Sequence, residues 1–183
     1  PKVKIVGVPS FFNTADKSSV VSNIFQQNSF LHSVQNKDSD DLQFLFSYAV
    51  KGKQTLVMKC SPALRKIFKS NNDCVKIGYT ECKLYDRFFV FQCSKCCMFG
   101  HSGKNCKNSE ITCTFCAENH HFKQCPHKDN KNSHKCVNCI RSNSESLKAN
   151  AHSHNSFFSN CPIKIFQIQR LKQRTDNGNF DKD

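Results

Sequence analysis

No apolar run of membrane-spanning length interrupts the sequence, and no secretory signal pattern is present, so neither a helical span nor an oxidising destination is expected. Arginine is scarce: five residues among the 27 basic ones. Base reading in duplex grooves leans on the bidentate guanidinium fork, whereas lysine engages phosphate as a flexible point charge. Sequence-specific groove reading is therefore disfavoured. Catalytic signatures are also missing. There is no HExxH, no deaminase-type His-x-Glu and no Ser/His/Asp constellation, so an enzyme is not expected and no small-molecule substrate is implied.

What remains is positive charge and sulfur. Lys and Arg outnumber Asp and Glu by 27 to 14, a formal charge of +13, and both halves of the chain share the excess. Such a field attracts polyanions, nucleic acid first among them. Thirteen cysteines are an odd number. Most crowd into residues 93–161 as CxxC pairs with histidines between them, the pattern of metal sites in a reduced, intracellular compartment rather than of a disulfide framework.

The composition changes near Phe91. Ahead of it, "KVKIVGV" (2–8) alternates like a half-buried strand that Gly7 and Pro9 help to close. "ADKSSVVSNIFQQN" (15–28) has helical spacing, with Thr14 or Asp16 able to cap it. The acidic stretch 35–41 reads as a loop. "LQFLFSYAV" (42–50) and "QTLVMKC" (54–60) read as a hairpin around Gly52. Ser61 and Pro62 open a helix over 61–70, and "CVKIGYTECKLY" (74–85) reads as the last strand. The order is β-α-β-β-α-β, the split-βαβ arrangement of ferredoxin-like and RRM-type domains. The expected core is Val3, Ile5, Val20, Ile24, Phe25, Phe44, Phe46, Leu56, Met58, Leu64, Ile67, Phe68, Val75 and Ile77. Cys60, Cys74 and Cys82 are expected as buried, inert thiols. Because "QTLVMKC" offers no aromatic side chain, the sheet is expected to lack the usual base-stacking platform.

The predicted class is α+β: an RRM-like, ferredoxin-like βαββαβ domain ahead of Phe91, followed by three small CCHC zinc knuckles with little regular structure. The domains are 1–91, the knuckles over 92–162 (93–106, 113–125 and 136–161), and a short basic helix with a frayed tail over 163–183. Cys93, Cys96, His101 and Cys106 fit C-x2-C-x4-H-x4-C. Three thiolates and an imidazole suit tetrahedral Zn²⁺, whose binding supplies the folding free energy that fourteen residues cannot draw from a core. Gly100 lets the backbone return His101 to the ion, and Cys97 is left over as a free thiol facing solvent. Cys113, Cys116, His120 and Cys125 form the second set, with His121 the alternative ligand. Cys136, Cys139, His154 and Cys161 form the third, with His152 the alternative, around a polar insertion. Every set supplies four ligands, so none keeps the open position of a catalytic ion. Three zinc ions bound by nine thiolates leave a net charge of about +10. Lys95, Lys104, Lys107 and Lys123 ring the sites, Phe99, Phe115 and Phe122 are the candidate base stackers, and "PHKDNKNSH" (126–134) reads as a flexible linker. The expected partner is single-stranded nucleic acid.

Nearly the whole chain resembles the gag-like protein encoded by the first reading frame of jockey-type non-LTR retrotransposons. The matching residues are "VKIVGVP" (3–9), "SPALRK" (61–66), "VKIGYTECKLYDRFFVFQCSKCCMFGHSGKNC" (75–106), "NHHFKQCP" (119–126) and "HNSFFSNCP" (154–162). The resemblance implies an RRM-like region with a pre-C2HC segment running into three CCHC knuckles. It favours His154 over His152, because the long insert recurs in that family. It further implies coating of the element's RNA in a ribonucleoprotein particle, in cytoplasm or nucleus, with chaperoning of strand annealing and possible self-association. By likeness to retroviral nucleocapsid knuckles, hydrophobic residues are expected after the first Cys and the His. Here those positions hold Ser94 and Ser102, then Thr114 and His121, which shifts affinity towards electrostatics. The alternatives are an assembly module and a domesticated cellular zinc-knuckle protein.

Overall fold

A computed structural model describes residues 1–32, 41–142 and 152–176. All but Asp41 of the loop expected over 35–41, most of the insertion after Cys139 and the last seven residues lie outside the described residues. The chain forms two compact units: residues 1–88, joined by those from Lys172 onward, and residues 89–171.

The first unit is a five-stranded antiparallel sheet, in the order β2-β3-β1-β5-β4, with two helices. The strands are β1 (Lys2–Val8), β2 (Leu42–Val50), β3 (Lys53–Cys60), β4 (Cys74–Ile77) and β5 (Thr80–Asp86). The expected count was four. The run 74–85 divides because Gly78 takes φ +60° and, with Tyr79, makes a two-residue turn between the paired residues Ile77 and Thr80. Glycine at the first central position of such a hairpin matches the twist of its strands. The two-residue turn shifts the inward alternation by one, from Val75 and Ile77 in β4 to Cys82 and Leu84 in β5, and leaves Tyr79 fully exposed.

Helix α1 (Lys17–Gln27) starts at Asp16, whose carboxylate accepts from the N–H groups of Ser18 and Ser19. Helix α2 (Pro62–Ser70) starts at Ser61, whose hydroxyl accepts from Leu64 N–H. Both caps satisfy donors that the first turn leaves orphaned. Val20, Ile24, Leu64 and Phe68 bury their stripes against Val3, Ile5, Leu56, Met58, Val75, Ile77 and Leu84 in one continuous core. Cys60, Cys74 and Cys82 are buried.

Two bulges correct the expected strand faces. In β1 the register slips between Val6 and Val8, with Gly7 at φ +87° as the extra residue; the strand continues past Gly7 and Val8 turns inward. In β2 the slip lies between Phe44 and Phe46. Phe44 therefore enters the core at 8 % exposure while Phe46, expected there, stands 45 % exposed on the opposite face. Phe25 and Ile67 pack at the core's margin.

Two polar residues close this unit. Asn28 presents its amide to the edge of β4, donating to Lys76 C=O (2.9 Å) and accepting from Lys76 N–H (2.8 Å), a side-chain substitute for another strand. Arg65 is 2 % exposed on α2. Its guanidinium donates to Asp86 at the end of β5 (2.7 Å) and to Asp73 just before β4, so it clamps both ends of the terminal hairpin to the helix. Arg65→Ala removes that clamp and leaves two half-shielded carboxylates facing each other. A loss of about 3 kcal/mol is expected, measured as a lower urea midpoint for the N-terminal unit; a loss under about 1 kcal/mol, the scale of a surface pair, would show the clamp to be incidental.

Candidate metal centres and nucleic-acid interface

In the first cysteine cluster the chain turns back after Cys93. Cys93 N–H donates to Met98 C=O (2.9 Å) and Cys97 N–H to Cys93 C=O (3.0 Å), while the N–H groups of Lys95 and Cys96 point at Cys93 Sγ (3.3 and 3.4 Å). Gly100, at φ +105°, then redirects the backbone and donates to Phe91 C=O. His101 Nε2 comes to 3.4 Å from Cys96 Sγ. A short 3-10 turn over Gly103–Asn105 delivers Cys106.

The second cluster repeats the turn. Cys113 N–H donates to Glu118 C=O, Ala117 N–H to Cys113 C=O, and Phe115 N–H to Cys113 Sγ. Ala117 and Cys97 hold the same left-handed position, at φ +65° and +58°. A 3-10 turn over Phe122–Gln124 again precedes the last cysteine, Cys125. Cys116 Sγ lies 3.5 Å from His120 Nε2 and 3.7 Å from Cys125 Sγ. His121 points elsewhere: its Nδ1 accepts from Lys123 N–H and its ring stacks on Phe122, with centroids 4.4 Å apart.

The third cluster is built differently. Its CxxC opens helix α3 (Val137–Arg141), and its last cysteine, Cys161, directly precedes helix α4 (Pro162–Arg174). Cys139 Sγ lies 3.7 Å from His154 Nε2 and 3.5 Å from Cys161 Sγ. His152 contributes only its carbonyl, which accepts from Cys136 N–H (2.9 Å).

In each cluster the four ligand atoms lie within 4.8 Å of one another. The close ligand pairs, at 3.4–3.9 Å, match the roughly 3.8 Å edge of a tetrahedron with Zn–S bonds of about 2.3 Å. They are far beyond the roughly 2.05 Å of a disulfide, and all thirteen cysteines are free. Burial works against the Cys93 thiolate, yet N–H groups of Cys96 and Lys95 and neighbouring thiols donate to it and hold its pKa down at about 6. Cys136 is held at about 4 by the Cys161 thiol and the N–H groups of Cys139 and Asn138, against burial. Burial pushes Cys96 to about 11 and Cys116 to about 12. These are donor sets in which a cation would displace the remaining protons.

The clusters are not beads on a flexible linker. Thr112 N–H donates to Lys95 C=O, joining the first two, and Lys135 N–H and Ser156 N–H donate to Phe115 and Thr114 carbonyls, joining the second to the third. Asn138, inside the third CxxC, closes the triangle: its Oδ1 accepts from Phe99 N–H and its Nδ2 donates to Cys97 C=O, both at 2.9 Å. Gln92 Nε2 donates to Cys97 C=O and Ser156 C=O. Residues 126–134, expected as a loose connector, are folded through a 3-10 turn over Lys131–Ser133, and His134 is buried, with Nε2 against Lys128 C=O.

This packing also corrects Cys97. It is 2 % exposed instead of facing solvent, its thiol donates to Thr112 C=O (3.1 Å), and burial raises its pKa to about 12. Lys95, Lys104, Lys107 and Lys123 are exposed. Of the candidate stackers, Phe122 is exposed, Phe115 packs on its own cluster, and Phe99 packs on the third cluster. Sequence reading missed aromatic residues on the sheet of the first unit. Phe46, Val57, Lys4 and Tyr85 form one row across paired strands, with Tyr48 in the next row beside Thr55, Val6 and Lys83. Phe46, Tyr48 and Tyr85 are 41–50 % exposed. The lost signals were the β2 bulge, for Phe46 and Tyr48, and the turn at Gly78, for Tyr85. Among the described residues, no helix is long and apolar enough to cross a membrane.

Comparison with protein-family models, with curated proteins and with solved structures found no match for this chain.

Asn138→Ala removes the two bonds that its side chain makes to the first cluster. A loss of about 1–2 kcal/mol at that seam is expected, read as roughly tenfold faster alkylation of Cys97 in the metal-loaded chain. An unchanged rate would mean that other contacts hold the seam.

Proposed function

We propose that the chain is a zinc-dependent binder of single-stranded nucleic acid, chiefly RNA, acting as the gag-like coat protein of a jockey-type retrotransposon. The observation that carries this reading is the fusion of three four-ligand clusters into one unit with an exposed lysine at every cluster. Each cluster offers a full tetrahedral set, which suits a structural ion rather than a catalytic one. When bound, zinc supplies the folding free energy of the unit. The lysines meet phosphates, and exposed rings such as Phe122 offer faces to unstacked bases. The first unit supports an RRM-like reading: β1 lies between β3 and β5, as the split-βαβ arrangement requires, and β4 adds an edge. Its row of Phe46, Lys4 and Tyr85 has the same aromatic and basic chemistry as the knuckles. That exposed row also favours a second reading, self-association through the sheet, which light scattering of nucleic-acid-free protein would detect as concentration-dependent oligomers.

Two measurements test the main reading. Elemental analysis should return three zinc ions per chain. A chelator should then abolish amide-exchange protection over 89–171 while leaving the sheet of 1–88 protected; a protected second unit without metal would refute the zinc requirement. For the loaded protein, log affinity for oligo(rU) should fall with log salt at about −0.7 per phosphate contacted. A salt-independent affinity, or none, would refute polyanion binding.

A further inference from the structure

A cavity of about 590 Å³ opens beside the third metal centre, where residues from the turn after the second knuckle meet the chain leading into Cys161. Its walls include Lys131, His134, Asn155, Phe158 and Asn160. None of its lining residues is acidic.

Two of its walls are aromatic planes already held in place. His134 is fixed by its bond to Lys128 C=O and tilts against Phe115, with centroids 5.3 Å apart. Phe158 rests on the ring of the metal-site histidine His154 at 5.0 Å, yet remains 43 % exposed. The amides are oriented as well. Asn155 Oδ1 accepts from Phe157 N–H (3.0 Å) and Asn160 Oδ1 from Ser159 Oγ (3.4 Å), so each amide keeps its NH₂ donors for a ligand. Lys131 stands exposed at the rim on its 3-10 turn.

An occupant must be flat enough to lie against Phe158, carry acceptors for two amides, and bear negative charge within reach of a lysine. One nucleotide of a single strand meets all three conditions, and the volume falls in the range of small-ligand sites. We propose that this cavity seats one nucleotide of the bound strand, with its base on Phe158, its edge towards Asn155 and Asn160 and its phosphate on Lys131. The site rests on the single-strand reading above and gives it a location. It differs from the positions that spacing alone nominated, since Phe99 and Phe115 are engaged with metal clusters. Its walls come from the connector that follows the second knuckle and from the third knuckle, so the cavity needs that connector to be folded rather than loose.

The test uses the full zinc-loaded chain and a short oligo(rU) carrying one iodouracil. Irradiation and peptide mapping should place the adduct on Phe158 or His134. Phe158→Leu keeps apolar bulk against His154 but removes the stacking face, and should weaken binding about fivefold or more with an unchanged salt slope. Lys131→Gln should lower the slope by about 0.7. Zinc content, measured on both variants, should stay at the wild-type value; if Phe158→Leu loses zinc, the wild-type adduct map alone decides. Adducts confined to other rings, with both variants binding like wild type, would overturn the cavity and leave the single-strand reading standing. Absence of binding by the wild-type chain would overturn both.

Discussion

Sulfur takes the place of a hydrophobic core in residues 89–171. Among the described residues of this unit, the buried apolar positions are nine cysteines and one aliphatic residue, Val137. Nine buried thiols cannot sustain a fold by apolar burial. Those that share a cluster, brought to 3.5–3.9 Å of one another, also repel once ionised. A divalent ion at each cluster reverses the sign of that interaction, and structural zinc contributes apparent free energies of roughly 10–16 kcal/mol per site in small peptides. The first unit is the opposite case. Its sheet and two helices enclose a continuous aliphatic and aromatic core, and its own cysteines are ordinary buried side chains.

Once each cluster is held, polar contacts determine how the clusters are arranged. The backbone bonds of Thr112, Lys135 and Ser156 and the side chains of Gln92 and Asn138 fix three small loops into one body. Separate knuckles on a tether would lose orientational freedom when a strand bound them, and ordering lysine-rich loops costs affinity. A preassembled unit has met much of that cost in folding. It also gives the rings of His134 and Phe158 a common cavity.

Legibility from sequence followed the range of the interactions. Cluster ligands at one CxxC turn and one return loop are set by local geometry, so their spacing was readable within fourteen residues for each of the first two sets. The choice between His120 and His121 was not, because adjacent residues face opposite ways and only the turn over Phe122–Gln124 decides which reaches the sulfurs. Strand periodicity identified most of the sheet's inner face. It failed at Phe46, where a bulge inverts the alternation, and at Gly78, where a two-residue turn shifts it by one. Arg65, Asn138 and the burial of Cys97 depend on partners far along the chain, for which a single sequence carries no pattern.

The two units thus draw stability from different sources, and this bears on how the chain can be regulated. Apolar burial does not depend on metal supply, whereas each thiolate cluster is linked to free metal by mass action. Arg65 and Asn28 keep the terminal hairpin and the sheet edge of the first unit closed through contacts that involve no metal ligand. The cavity walls, by contrast, include His154 itself and a ring stacked on it. Metal scarcity would therefore dismantle the candidate nucleotide site while sparing the aromatic and basic row of the sheet. A chain with this division keeps one surface standing whatever its metal status and makes the other conditional on it.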